Sequence, residues 1–192
     1  MRANFSKELV FAAVAAALIA VGAWLKIPTP YIAITLQLPI IVILALILGP
    51  RTTARACLIY LIMGLIGIPV FAGGGGPHYL LLPSFGYIYG FCLANFLAAK
   101  AKLWQPNSSF KRDLSLALFI TTIVYLSGLS HFYLINMFYL DNPLTLNQVI
   151  TIGLLKTIIK DVAFAPLLVL AVKTIRQAAK NLIGANLDRS VA

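Results

Sequence analysis

The sequence predicts an all-α integral membrane protein: one domain over residues 1–192, with six transmembrane helices and both termini in the cytoplasm. Three observations carry that expectation. Of the 192 residues, 61% are hydrophobic and only 10% charged, and the mean hydropathy is +0.95. A water-soluble domain is about half apolar and about a quarter charged, so this chain has too few polar side chains to cover a core of its own. The apolar residues fall into six runs, and the basic residues crowd into alternate joints between them.

A helix needs about 17–25 mostly apolar residues to cross the hydrocarbon layer. Six segments meet that length: 8–25, 32–49, 53–71, 79–99, 114–138 and 148–172. They are expected to be helices, because unpaired backbone is too costly in lipid and none shows the alternation of a barrel strand. The first run is followed by others and lacks a small-residue cleavage site, so it reads as a span and not as a removed leader. Between the spans lie "KIPTPY", "GPRTTAR", "AGGGGPH", "KAKLWQPNSSFKRD" and "LDNPLTLN". Each joint carries the Pro, Gly or Asn expected at a break.

The net charge is +10, and its placement matters more than its size. Arg2, Lys7, Arg51, Arg55, Lys100, Lys102, Lys111, Arg112, Lys173, Arg176, Lys180 and Arg189 all fall on one side if six helices alternate across a bilayer. The opposite joints hold only Lys26. Basic residues flank membrane helices on the cytoplasmic side, so the bias puts both termini there and the glycine run Gly73–Gly76 outside. Topology accounts for the charge, and nucleic acid is not an expected partner.

Two basic residues remain inside the last span, "QVITIGLLKTIIKDVAFAPLLVLAV", with an acid beside them: Lys156, Lys160 and Asp161. A charge near the bilayer centre costs about 2.5–3.5 kcal/mol, so such groups face a bundle interior or wet cavity and pair with each other or with a ligand. Lys156 and Lys160 are one turn apart and share a face. Asp161 lies roughly 100° around the helix and neutralises only part of that pair. The trio reads as a structural ion pair with a spare lysine, as a positive site for an anionic or polar solute in the outer half, or as a proton or ion relay.

Other polar groups point less sharply. Ser130, His131 and Asn136 in the fifth span, and Asn95 in the fourth, suit either hydrogen-bonded helix packing or a ligand contact. Tyr79, Tyr87 and Tyr89 flank the glycine loop, where tyrosines either anchor helices at the headgroups or line a pocket. Cys57 and Cys92 have no metal-ligand spacing and read as small core residues. Ala12, Ala16 and Ala20 recur every fourth residue along the first span; small residues at that spacing admit a close helix, from this chain or from another protein. There is no G-x-x-x-x-G-K-[ST], H-E-x-x-H or G-x-S-x-G, and no convincing inverted repeat. The chain reads as a binding unit without catalytic residues, cofactor or metal.

Three segments carry a resemblance that extends from Ile27 to about Leu170. They are "IPTPYIAITLQLPIIVILALILGPR", with Thr35 and Gln37 in it, "LIMGLIGIPVFAGGGG" and "LPSFGYIYGF". Together they resemble the biotin-binding BioY type among the substrate-capture S components of energy-coupling-factor (ECF) vitamin transporters. The chain departs from the family pattern at Leu82, where a glycine is usual, at Ser84, a usual threonine, and at Phe164, where a lysine follows the acid matched by Asp161.

The resemblance implies an ECF S-component-like bundle in the cytoplasmic membrane of a bacterium or archaeon. It would capture biotin or a close analogue for a membrane coupling protein (the T protein) and two cytoplasmic ATPases. Asp161 would then meet the polar head and Lys156 or Lys160 the carboxylate, with Gln37 and Asn95 nearby. Phe71, Tyr79 and Tyr87 would pack on the ring and chain. Gly73 and Gly74 would bring backbone N–H groups to the solute, and the Ala12/Ala16/Ala20 face would dock the coupling protein. The alternatives are an S component for riboflavin or thiamine, the latter a poor match for two lysines; an intramembrane enzyme acting on lipid; and a stand-alone channel or exporter.

Overall fold

The computed structural model describes residues 2–29, 32–106, 108–139 and 144–191, with backbone alone at 2–5, 154–157 and 179–191. Helix α1 (Arg2–Trp24) leads into a short antiparallel hairpin, β1 (Lys26–Ile27) and β2 (Ile34–Thr35), in which Lys26 pairs with Thr35 and Ile27 with Ile34. Helices α2 (Gln37–Leu48) and α3 (Pro50–Leu65) follow, then a 3-10 turn at Pro77–Leu81, α4 (Phe85–Lys100) and α5 (Phe110–Phe138). The chain ends in α6 (Leu146–Ile150), a π-helical turn at Thr151–Leu155 and the long α7 (Lys156–Val191).

Local chemistry sets these boundaries. Gly49, at φ +84°, turns α2 into α3, and Pro50 occupies the first helical position, where its missing N–H costs nothing. Ser109 caps α5 through Arg112 N–H, with Asp113 in the first turn facing the positive helix end. Thr145 and Gln148 form a capping box on α6.

Several boundaries differ from the sequence expectation. The second span begins as helix only at Gln37, because 26–27 and 34–35 pair as strands. The third helix stops at Leu65 and the fourth starts at Phe85, so the whole stretch between them is loop and 3-10 turn. The last helix runs to Val191, well past residue 172. Among the described residues, Ser6–Trp24 and Phe110–Phe138 are long and apolar enough to cross a membrane by themselves, and α2 is apolar but shorter.

Small residues set the helix packing. Helix α4 packs most extensively on α5, and Gly86 makes that approach possible. A Cβ added at Gly86 would lie 2.8 Å from Ser127 O and 2.9 Å from Gly128 Cα, both on α5. Backbone cannot step aside as a side chain can, so Gly86→Leu is expected to lower stability by at least about 1–3 kcal/mol. Thermal denaturation in detergent, followed by the loss of soluble monodisperse protein, checks this. On α1 the stripe Ala12, Ala16 and Ala20 is buried, at 0%, 1% and 6% exposure, and α1 packs on α3 and α2. That corrects the expectation of a docking face: alanines covered by this chain's own helices cannot also meet another protein.

The opposite face of α1 shows Phe11, Val14, Leu18, Val21 and Trp24 to the outside, and α7 likewise shows Ile159, Val162, Phe164, Leu167 and Leu170. Apolar surface on that scale belongs against lipid or protein and not against water.

At one end of the bundle sits a buried ion pair. Arg176 Nη1 on α7 lies 3.0 Å from Asp113 Oδ2 on α5, and Asp113 is 1% exposed. Ser108 also donates to Asp113, while Arg176 Nη2 and Trp104 Nε1 (2.7 Å) both donate to Leu46 O. Leu46 lies in the last turn of α2, where carbonyls lack helical partners. One cluster thus ties α2, α5, α7 and the loop before α5 together.

Candidate ligand-binding site

At the other end of the bundle the loops border a partly open cavity of about 400 Å³. Its roof is the hairpin segment, with Lys26, Pro28, Thr29 and Ile32 to Thr35 on the lining. Ile32 is buried beside Phe132 of α5 and Val149 of α6, which pins this segment across the bundle. Ala72, Gly73 and Tyr79 come from the glycine loop, with Leu82 and Ser84 beyond it. The walls are Gln37 and Leu38 of α2, Tyr87, Ile88 and Phe91 of α4, Val124 and Tyr125 of α5, and Lys160 and Asp161 of α7.

The polar end is built around Asp161, which is 7% exposed. Tyr125 Oη donates to Asp161 Oδ2 at 2.7 Å. Lys160 Nζ lies 3.0 Å from Oδ1 and donates to Thr35 O at 3.0 Å. Adjacent residues on one helix meet at a poor angle, so Oδ1 has its charge balanced yet accepts no aligned hydrogen bond. A buried acceptor without a hydrogen bond is costly, and a ligand N–H would satisfy it. Gln37 continues the polar wall: it donates to Tyr60 Oη at 2.9 Å, and Thr35 Oγ1 donates to Gln37 Oε1 at 3.2 Å.

The aromatic side is also held in place. Tyr87 Oη donates to Gly153 O at 2.9 Å, a carbonyl in the π-helical turn, and the Tyr87 ring stands edge-on to Tyr125 with centroids 5.8 Å apart. Tyr79 Oη accepts from Gly73 N–H at 2.6 Å, and its ring lies on Phe71 at 4.6 Å.

Six residues singled out from the sequence therefore meet at one cavity: Gln37, Gly73, Tyr79, Tyr87, Lys160 and Asp161. Three others do not line it. Phe71 lies beneath Tyr79 against Gly64 and Tyr60, 1% exposed. Gly74, at φ +121°, closes a bridge with Phe71 through hydrogen bonds of 2.8 and 3.1 Å. Asn95 is fully buried within α4 and donates to Phe91 O. The side chain of Lys156 lies outside the described residues. The glycine N–H groups also differ from expectation: those of Gly73, Gly74 and Gly76 bond to Tyr79, Phe71 and Gly64, so they shape the loop instead of reaching into the cavity.

Sequence reasoning missed Tyr125 and Lys26. Tyr125 is the one aromatic residue in the run "ITTIVYL", and a buried tyrosine hydroxyl needs a partner. Lys26 is the one exception to the one-sided basic pattern.

A model of the BioY family matches residues 1–181. A protein of Lysinibacillus sphaericus named "Probable biotin transporter BioY" is 35% identical over 159 residues, 82% of this chain and 81% of the relative. The "Biotin transporter BioY" of Thermotoga maritima is 32% identical over 136 residues, 70% of this chain and 78% of the relative. A crystal structure of the S-component for biotin from an ECF-type ABC transporter superposes with a TM-score of 0.72 at 27% identity, covering 92% of this chain and 94% of that one.

Proposed function

Because the chain belongs to the BioY family, we propose that it is the membrane-embedded S component that captures biotin from outside the cell for an ECF-type uptake system. The observation that carries this reading is the pairing, in one cavity, of a buried carboxylate–ammonium end with a tyrosine-walled apolar remainder. The volume lies within the usual range for small-molecule sites, about 300–1,000 Å³. One of biotin's ureido N–H groups would donate to Asp161 Oδ1, and Tyr79, Tyr87 and Phe91 would hold its ring and chain. Phe71 and Gly74 would act beneath them by fixing Tyr79 and the glycine loop. A cationic solute such as thiamine suits this end poorly, since Asp161 already has its counter-charge in Lys160.

The one-sided basic residues support six crossings of a cytoplasmic membrane, with the cavity facing outward and both ends of the sequence inside. The sequence carries no ATP-hydrolysis motif. The energy would come from a membrane coupling protein and two cytoplasmic ATPases, and the chain itself would be no enzyme.

Uptake in a biotin-auxotrophic bacterium tests this. Expression of the chain together with an energising module is expected to restore growth on trace biotin and accumulation of radiolabelled biotin. No accumulation beyond the level of cells with the module alone would contradict the reading.

A further inference from the structure

Among the described residues, three charged groups line the cavity: Lys160, Asp161 and Lys26. Two of them neutralise each other at 3.0 Å, and the Lys160 ammonium gives a second donor to Thr35 O. Lys26 differs. Its side chain is exposed, its ammonium donates to the Ala72 carbonyl, a neutral group, and no carboxylate among the described residues pairs with it. The excess positive charge of these three groups therefore resides on Lys26.

Its position is fixed from both sides. Lys26 pairs with Thr35 across the hairpin, so the two side chains stand on one face, and Thr35 is the residue whose carbonyl anchors Lys160. On the other side Ala72 precedes Gly73 at the cavity wall. Lys26 thus joins the two loops that border the cavity and keeps ammonium donors available there, since a lysine carries three and the Ala72 carbonyl takes one. The residue also runs against the topology that governs every other joint, being the lone basic residue on the side where such residues are avoided.

We infer that Lys26 meets the carboxylate of the bound acid and sets the preference for a monoanion over a neutral solute, leaving Lys160 to hold Asp161 in place. This rests on the proposed reading of the cavity as a biotin site. A carboxylate arriving at Lys26 would form a charge-assisted hydrogen bond. It would either share the ammonium with Ala72 or displace that carbonyl.

The test is equilibrium binding of biotin and of its neutral primary amide to the purified full-length chain in detergent. Wild type is expected to prefer the acid by at least about tenfold. In Lys26→Met the preference is expected to fall below about threefold, Lys26→Arg to restore most of it, and Lys160→Met to weaken both ligands with the preference kept. A preference unchanged in Lys26→Met, or lost in Lys160→Met instead, would assign Lys26 to holding the loops together and overturn the inference while biotin binding stands. Equal affinity for acid and amide in wild type would overturn it as well. Binding of neither ligand to wild type would overturn the biotin reading, and this inference with it.

Discussion

Asp161→Asn is expected to lower biotin affinity by about ten- to a hundredfold, the largest loss from any single substitution in the cavity. Hydrogen bonds to a charged group contribute about 1.5–3 kcal/mol each, and about 1.4 kcal/mol is a tenfold change in affinity. Weakening the one ureido N–H hydrogen bond that Oδ1 can accept accounts for about ten- to a hundredfold. Asparagine keeps nearly the same shape, and its amide oxygen still accepts from Tyr125, so the apo fold is expected to survive. Lys160 loses its counter-charge, but that side chain is 25% exposed and water screens part of the cost. Biotin titration alongside thermal denaturation of the apo protein separates the two effects. Affinity within about threefold of wild type would remove Asp161 from the site.

The second large effect is on folding, at the far end of the bundle. Asp113→Ala leaves Arg176, at 18% side-chain exposure, among groups that no longer balance it. Removing one partner of a buried pair costs about 3–5 kcal/mol, whereas replacing both by apolar residues of similar size is often nearly neutral. The single variant is therefore expected to lose about 3–5 kcal/mol in reversible unfolding, and the double variant Asp113→Leu/Arg176→Met to recover most of it. Because neither residue lines the cavity, folded Asp113→Ala protein is expected to bind with wild-type affinity. Equal stability of the single and double variants would mean the pair is not what ties α5 to α7.

How much of this was legible in the sequence follows from what each signal measures. The long apolar runs of α1 and α5 announce themselves because lipid and helix ask the same thing of every residue. The strand pairing of Lys26–Ile27 with Ile34–Thr35 did not, since two-residue strands leave no periodicity, and "IAIT" reads as well for the start of a span. The glycine run located a loop, but its hydrogen bonds depend on where Tyr79 and Phe71 fall in three dimensions. The alanine stripe on α1 says only that some helix comes close; the partners, α3 and α2, are set by topology. In the cavity, Lys160 and Asp161 stood out because charge is expensive in lipid. Tyr125, Thr35 and Lys26 become their neighbours only when α5, the hairpin and α7 meet. Asn95 shows the converse: a polar side chain in a span whose amide N–H turns back on its own helix, at Phe91 O, and not into the cavity.

Equilibrium dialysis of radiolabelled biotin against the purified full-length chain in detergent tests the central claim most directly. The account predicts saturable binding of one biotin per chain with a dissociation constant on the order of nanomolar, and no displacement by thiamine or riboflavin in large excess. Absence of saturable biotin binding, or displacement by thiamine or riboflavin as readily as by unlabelled biotin, would contradict it.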